Sequence, residues 1–256
     1  MPTTSDLRQR QLRTTRPRLD QRWTSLNRLL TATIGRPSGA ISVDHDYQAN
    51  GVWTGLQGSQ TERITRNRGS GRVAPFVQLP DNLSAWLGYQ EVWDLETGRE
   101  PFVFRQASLT IHIGEPGDPV KPQILRLEWP GLRNWHKTGV GFQSPDAGHP
   151  HWQFDLLESL SALSKATAAV TEFPGDESEL ENFDEVTVDT PIAARVLRLT
   201  LERMHLASAA PWWLERKPEF GSHQLNAPSD LQELSRWLVS AIHYLKQELG
   251  RCELRA

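Results

Sequence analysis

Apolar residues recur at spacings of three and four through Leu19, Trp23, Leu26, Leu30 and Ile34, which predicts a helix with a single apolar stripe. Gly35, Arg36 and Pro37 end it, as glycine followed by proline should. A helix of this length is marginal alone, so the stripe must dock on another element. The period then shortens. Residues 40–43 and 51–56 read as short strands around a polar loop, DHDYQAN, and residues 73–79 as a further strand. Between them residues 57–72 form a basic, glycine-containing loop carrying Arg63, Arg66, Arg68 and Arg72.

The strongest β pattern lies over residues 89–129. Residues 89–95 and 102–113 suit a hairpin across ETGREP, with a break in alternation near Gln106 and Ala107 that reads as a bulge. The connector GEPGDPVKP holds three prolines and two glycines and interrupts regular structure before a strand at residues 124–129. A chemically rich cluster follows: His149, Pro150, His151, Trp152 and Asp155. Helical patterns resume at residues 156–170, at 193–206, and from Ser229, a good N-cap, through Leu231, Leu234, Leu238, Ala241, Leu245 and Leu249 to Gly250. Residues 172–189 contain eight acids and no base, which marks a solvated loop or a boundary. The fold class this order implies is α+β: an N-terminal helix, an antiparallel meander sheet, and C-terminal helices packed on one face. Residues 1–18 are expected to be a flexible basic arm. Residues 19–256 are expected to be one domain with a loop insertion at 57–88.

Composition narrows the function classes. The chain has 256 residues, 38% hydrophobic and 23% charged, with a net charge of −3, and this balance points to neither nucleic acid nor membrane. Arginine outnumbers lysine 23 to 5, a bias that fits a GC-rich bacterial genome or Arg-based recognition of phosphate or carboxylate. The single cysteine, Cys252, leaves no internal disulfide framework and no Cys-based zinc cluster. The first residues lack the apolar core of a secretory signal and no run is long enough to span a bilayer, so a cytoplasmic location is the expectation.

Several constellations carry chemistry. His149 and His151 are two apart in an extended segment, where both imidazoles would share a face; with Asp155 they would make a two-His, one-carboxylate site for zinc or another divalent metal, the third ligand being otherwise His112 or His136. That is the ligand set of a metal-dependent hydrolase or nuclease. Asp44, His45 and Asp46 form a second polar triplet. Arg8, Arg10 and Arg13 in the arm, with Arg63, Arg66 and Arg68 in the loop, are placed for phosphate contacts in a nucleic-acid-binding accessory protein. Trp212 and Trp213, flanked by prolines on a connector, are the exposed aromatic pair best suited to a protein partner. GxSxG is absent, and the glycine-rich stretches are not followed by a phosphate-loop helix.

The order of elements also resembles the ubiquitin-conjugating-enzyme-like fold. EPGDPVKP stands where that family has a proline-containing connector, QILRLEW matches the next strand, and His149-Pro150-His151 matches the His-Pro-Asn motif. The resemblance spans residues 19–56 and 89–160, with the helices from Pro191 as its C-terminal part. His151 replaces the family's Asn, and no cysteine follows until Cys252, so the thioester nucleophile is missing. The resemblance therefore implies a non-conjugating, RWD-type relative: a non-enzymatic protein-interaction adaptor of a multiprotein system, with no cofactor.

Overall fold

The computed structural model describes residues 11–36, 39–64, 71–131, 151–155, 191–201, 204 and 228–255. The chain enters through a two-residue strand, β1 (Arg13–Thr14), and then the first helix, α1 (Arg16–Ile34). Pro17 suits the first turn, and Gly35 closes the helix in the left-handed conformation (φ 77°), its N–H bonding to the Thr31 carbonyl. The buried residues of α1 include all five of the expected stripe.

Seven strands follow: β2 (Ser42–Gln48), β3 (Gly51–Gln57), β4 (Glu62–Arg63), β5 (Arg72–Gln78), β6 (Ser84–Leu95), β7 (Phe102–Gly114) and β8 (Gln123–Pro130). After β9 (His151–Phe154) come a short helix, α2 (Pro191–Leu197), and a long one, α3 (Leu231–Leu249). All nine described strands belong to one antiparallel sheet, ordered β2-β3-β6-β7-β8-β9. The long strand β6 is its spine: its first half pairs with β5 and its second half with β3. The short strand β4 pairs with β5, and β1 pairs with the start of β7. The alternation break expected near Gln106 is present one residue earlier. Val92 faces Gln106 and Trp93 faces Phe104, so Arg105 is the extra residue of a bulge.

Register separates two faces with different chemistry, because directly paired residues share a face. One face reads His45–Thr54–Glu91–Ala107–Trp129 and Tyr89–Leu109–Leu127–Trp152 across the strands. It is covered by α1 through Trp23 and Leu26, and by α3 through Trp237, which meets Trp129 edge-on, and Tyr244, which meets Trp152. Both helices thus lie on one face, side by side.

A buried cluster locks them there. Arg22 of α1 donates from Nε and Nη2 to the two oxygens of Glu91 on β6, at 2.8 and 2.6 Å. Its Nη1 donates to the Leu231 carbonyl and Ser235 Oγ of α3. Tyr89 and Trp93 donate to the same carboxylate. Burial alone would make the Arg22 guanidinium easier to deprotonate; the Glu91 carboxylate outweighs that, and Arg22 is held more firmly charged than usual.

Five expectations change. The arm expected over residues 1–18 is ordered from Gln11 onward, since Arg13 and Thr14 pair with Val103 and Phe102. The DHDYQAN loop is mostly β2, which runs to Gln48 before a tight turn. Its inward side chains are His45, stacked on Trp23 at 5.8 Å, and Tyr47, edge-on to Phe102 at 5.7 Å. The insertion expected over 57–88 supplies β4, β5 and the first half of β6 to the main sheet. The helix expected at 193–206 stops at Leu197, because Leu199 bridges to Leu254 and Thr200 N–H bonds to the Glu253 carbonyl. Finally, Asp230 rather than Ser229 is the N-cap of α3, accepting from Glu233 N–H at 2.7 Å, while Ser229 donates to the Glu233 carboxylate in a reciprocal capping box. The helix expected over 156–170 lies outside the described residues.

Candidate functional site

The second face of the sheet is polar. Its rows read Asp44–Gly55–Gln90–Ser108–Glu128, Asp46–Trp53–Val92–Gln106 and Gly88–Thr110–Arg126–Gln153. The β6–β8 part of this face is closed: Ser108 and Thr110 are buried, and His112 is fully so. The β2–β3 part is open, with Asp44, Asp46 and Gln57 exposed and Trp53 and Gln90 half-exposed.

Over that open part the β4–β5 hairpin bends and makes a wall. Ile64, Val73 and Trp86 form a small apolar cluster of their own beneath it. Glu62 is tied to the connector between β7 and β8, where it accepts from Lys121 Nζ at 2.7 Å and from Gly117 N–H. The Lys121 side chain is fully buried, with its ammonium 4.5 Å from the Trp86 ring centre. A charge so enclosed persists only when paired, so this contact fixes the hairpin in place.

The result is a cavity of about 440 Å³, within the size range of small-ligand sites. Asp44 and Asp46 line one side, Arg63 and Arg72 the other, and Trp53 and Gln90 lie between. The two arginines are direct cross-strand partners, and like charges so placed repel. Arg72 donates to Thr61 Oγ1 at 3.3 Å, and Glu62, the nearest acid in sequence, is committed to Lys121. On the acidic side Asp44 accepts from its neighbour's backbone N–H and Asp46 from the Gln48 amide. Neither carboxylate forms an ion pair with either arginine among the described residues.

The expected site residues are placed as follows. Asp155 is buried; it accepts from Gln123 Nε2 and lies 3.6 Å from Arg126 Nε. His151 begins β9, in register with Glu128; its side chain, like His149, lies outside the described residues. His112, offered as a third ligand, is taken up within the sheet, its ring nitrogens 3.1 Å from the Lys121 carbonyl and from Thr110 Oγ1. Among the described residues no group of three His, Cys, Asp or Glu is arranged to hold a metal. Arg13 is paired with Glu96 at 2.5 Å, on the β1 side of the sheet rather than with Arg63. Arg8, Arg10, Arg66, Arg68, His136, Trp212 and Trp213 lie outside the described residues. No described helix is long and apolar enough to cross a membrane.

Sequence reasoning singled out Asp44, Asp46 and Arg63 but did not bring them together. The available signal was alternation: Val43, His45 and Tyr47 against Asp44, Asp46 and Gln48 is a strand pattern, hidden because two inward residues are polar or amphipathic.

Comparison with protein families, curated proteins and solved structures gives no match.

Proposed function

We propose that this chain is a non-enzymatic protein-interaction module, an adaptor in a multiprotein assembly, and that the open part of its polar sheet face receives the partner. One observation carries the reading: a cavity on that face is lined by two exposed carboxylates, Asp44 and Asp46, by the exposed Arg63 and by the Trp53 indole, and neither carboxylate pairs with an arginine among the described residues. Charges held apart in this way specify a partner by complementarity rather than stabilise the fold, since exposed ion pairs contribute little to stability even when formed. The ubiquitin-conjugating-enzyme-like resemblance leads to the same reading, because a relative without its cysteine retains only binding.

The edge strand β2 argues for the cavity over strand addition. Its outward N–H groups at Val43 and His45 are already taken, by Asn27 Oδ1 and by Asp44 Oδ1, and two acids decorate it. The test is affinity purification of the tagged chain and of its Arg63→Glu/Arg72→Glu variant from the cells that make it. A partner retained by the wild type and lost with the variant supports the reading; equal recovery by both contradicts it.

A second reading, nucleic-acid binding, is favoured by the Arg63–Arg72 pair at the base of an arginine-rich segment. It predicts an affinity for oligonucleotides that falls steeply with salt. Absent or salt-independent binding removes it.

A further inference from the structure

Strand β3 lacks a side chain at the floor of the cavity. Gly55 stands in the strand interior, paired with Asp44 on β2 and with Gln90 on β6, and it shares its face with Trp53 and Gln57. Glycine weakens a strand, and its usual reasons there are a bulge, a tight bend or the close approach of another group. No register shift interrupts the β2–β3 or β3–β6 ladder, so there is no bulge. Gly55 does not adopt a positive φ either. A Cβ built on it would meet no atom within 4 Å, so nothing in the described chain needs that space. The gap opens into the cavity, where a group from outside can approach the backbone.

The side chains around that gap agree on a charge and a shape. Asp44 and Asp46 are exposed and stand together on the cavity face of β2. Each spends one oxygen locally, Asp44 Oδ1 on the His45 N–H and Asp46 Oδ2 on the Gln48 amide, and makes no ion pair among the described residues. Trp53, the direct cross-strand partner of Asp46, sets an indole beside them. Carboxylates beside an indole hold a cation by ion pairing and by cation–π attraction. A guanidinium suits this arrangement better than an ammonium. It is planar, stacks flat on an aromatic ring, and its fork of donors serves two carboxylates at once.

We infer that the cavity receives an arginine side chain of the protein partner, its guanidinium seated over Gly55 between Asp44, Asp46 and the face of Trp53. This rests on the reading of the cavity as the partner site and names the residue that enters it. Arg63, exposed on the opposite wall, repels a second cation and donates to carbonyl oxygens of the segment that carries the arginine. The partner therefore presents one arginine rather than a basic run.

The test is a nuclear magnetic resonance titration of the full chain, following the Trp53 indole N–H, identified as the signal lost in Trp53→Leu. Four probes are used: a short neutral peptide with one central arginine, the same peptide with lysine, the same with citrulline (the neutral isostere of arginine), and a single-stranded oligonucleotide. The arginine peptide is expected to shift the indole signal saturably and to bind about tenfold or more tightly than the citrulline peptide, as charge-assisted hydrogen bonds warrant, with lysine between them. Asp44→Asn/Asp46→Asn should remove that preference. Gly55→Val fills the gap with a residue that strands favour, so the melting temperature should hold or rise while arginine binding is lost. A glycine kept only for the fold would instead show a lower melting temperature with binding intact. Equal binding of the arginine and citrulline peptides, equal binding of arginine and lysine, or binding indifferent to Asp44, Asp46 and Gly55 would overturn the inference. A shift with the oligonucleotide alone would overturn it together with the adaptor reading. If no peptide binds but a cellular partner is still lost with Arg63→Glu/Arg72→Glu, the arginine inference falls and the adaptor reading stands.

Discussion

Glu91 accepts hydrogen bonds from Arg22, Tyr89 and Trp93 at a position with no solvent exposure, and Arg22 spends its remaining nitrogen on α3. Removing one partner of such a pair leaves a buried charge uncompensated. Glu91→Leu should therefore cost about 3–5 kcal/mol, whereas Arg22→Met/Glu91→Leu should cost clearly less than the sum of the single changes. Urea titration of the singles and the double is the check, and additive losses would contradict the coupling. The same cluster sets a pH dependence. Burial first, and then the Glu91 carboxylate, raise the Tyr89 phenol well above its ordinary value, and burial pushes Tyr47 up to about 12. A raised folded value means that the stabilisation is complete below about pH 10, where the unfolded tyrosine is still protonated. It is lost as pH climbs past that point, because the unfolded phenol ionises while the folded one resists. Stability should fall above about pH 10, and less steeply in Tyr89→Phe. Identical alkaline limbs in the two proteins would remove Tyr89 as a cause.

At the scale of elements, the turn between β3 and β4 positions the basic wall. Gly58 sits there at φ 132°, a Cβ would press on the Ala40 carbonyl, and its own carbonyl accepts from Thr61 N–H. Gly58→Ala should cost about 1–3 kcal/mol, the usual penalty of a non-glycine residue in such a conformation. Because the strain is local to the hairpin, it should also loosen the β4–β5 amides in hydrogen exchange before it affects β6 or β7. Uniform loosening would mean that the hairpin is not a separable unit. These elements also show where the sequence was readable. The stripe of α1 and the repeat of α3 could be read directly because both helices bury one face against the sheet, so their period is undisturbed. Strands β7 and β8 and the bulge near Gln106 were readable because apolar Leu109, Ile111 and Ile113 alternate with polar Ser108, Thr110 and His112, although both faces are buried. β2 was not, since its inward positions after Val43 are His45 and Tyr47, whose burial depends on Trp23 and Phe102 from distant segments. Nor were β4 and the start of β6, whose pairing is set by long-range register and by the buried Lys121, which composition alone places in solvent.

For the whole molecule, the division of labour is between a sealed face and an open one. Two helices, joined through Arg22, close the apolar side of the sheet. The β4–β5 hairpin and the connector at Lys121 shape the polar side into a cavity. The site could not be assembled from sequence because its charges come from two separate hairpins, β2–β3 and β4–β5, which meet only through their pairing with β6. The most direct test is photo-crosslinking in the cells that make the protein, with a photoreactive residue at Gln57 on the cavity rim or at Gln247 on the exposed side of α3. A partner captured from position 57, absent from position 247 and suppressed by Arg63→Glu/Arg72→Glu, is the expected result. Capture from position 247 with none from position 57 would place the interaction on the helices and contradict the assignment of the polar face.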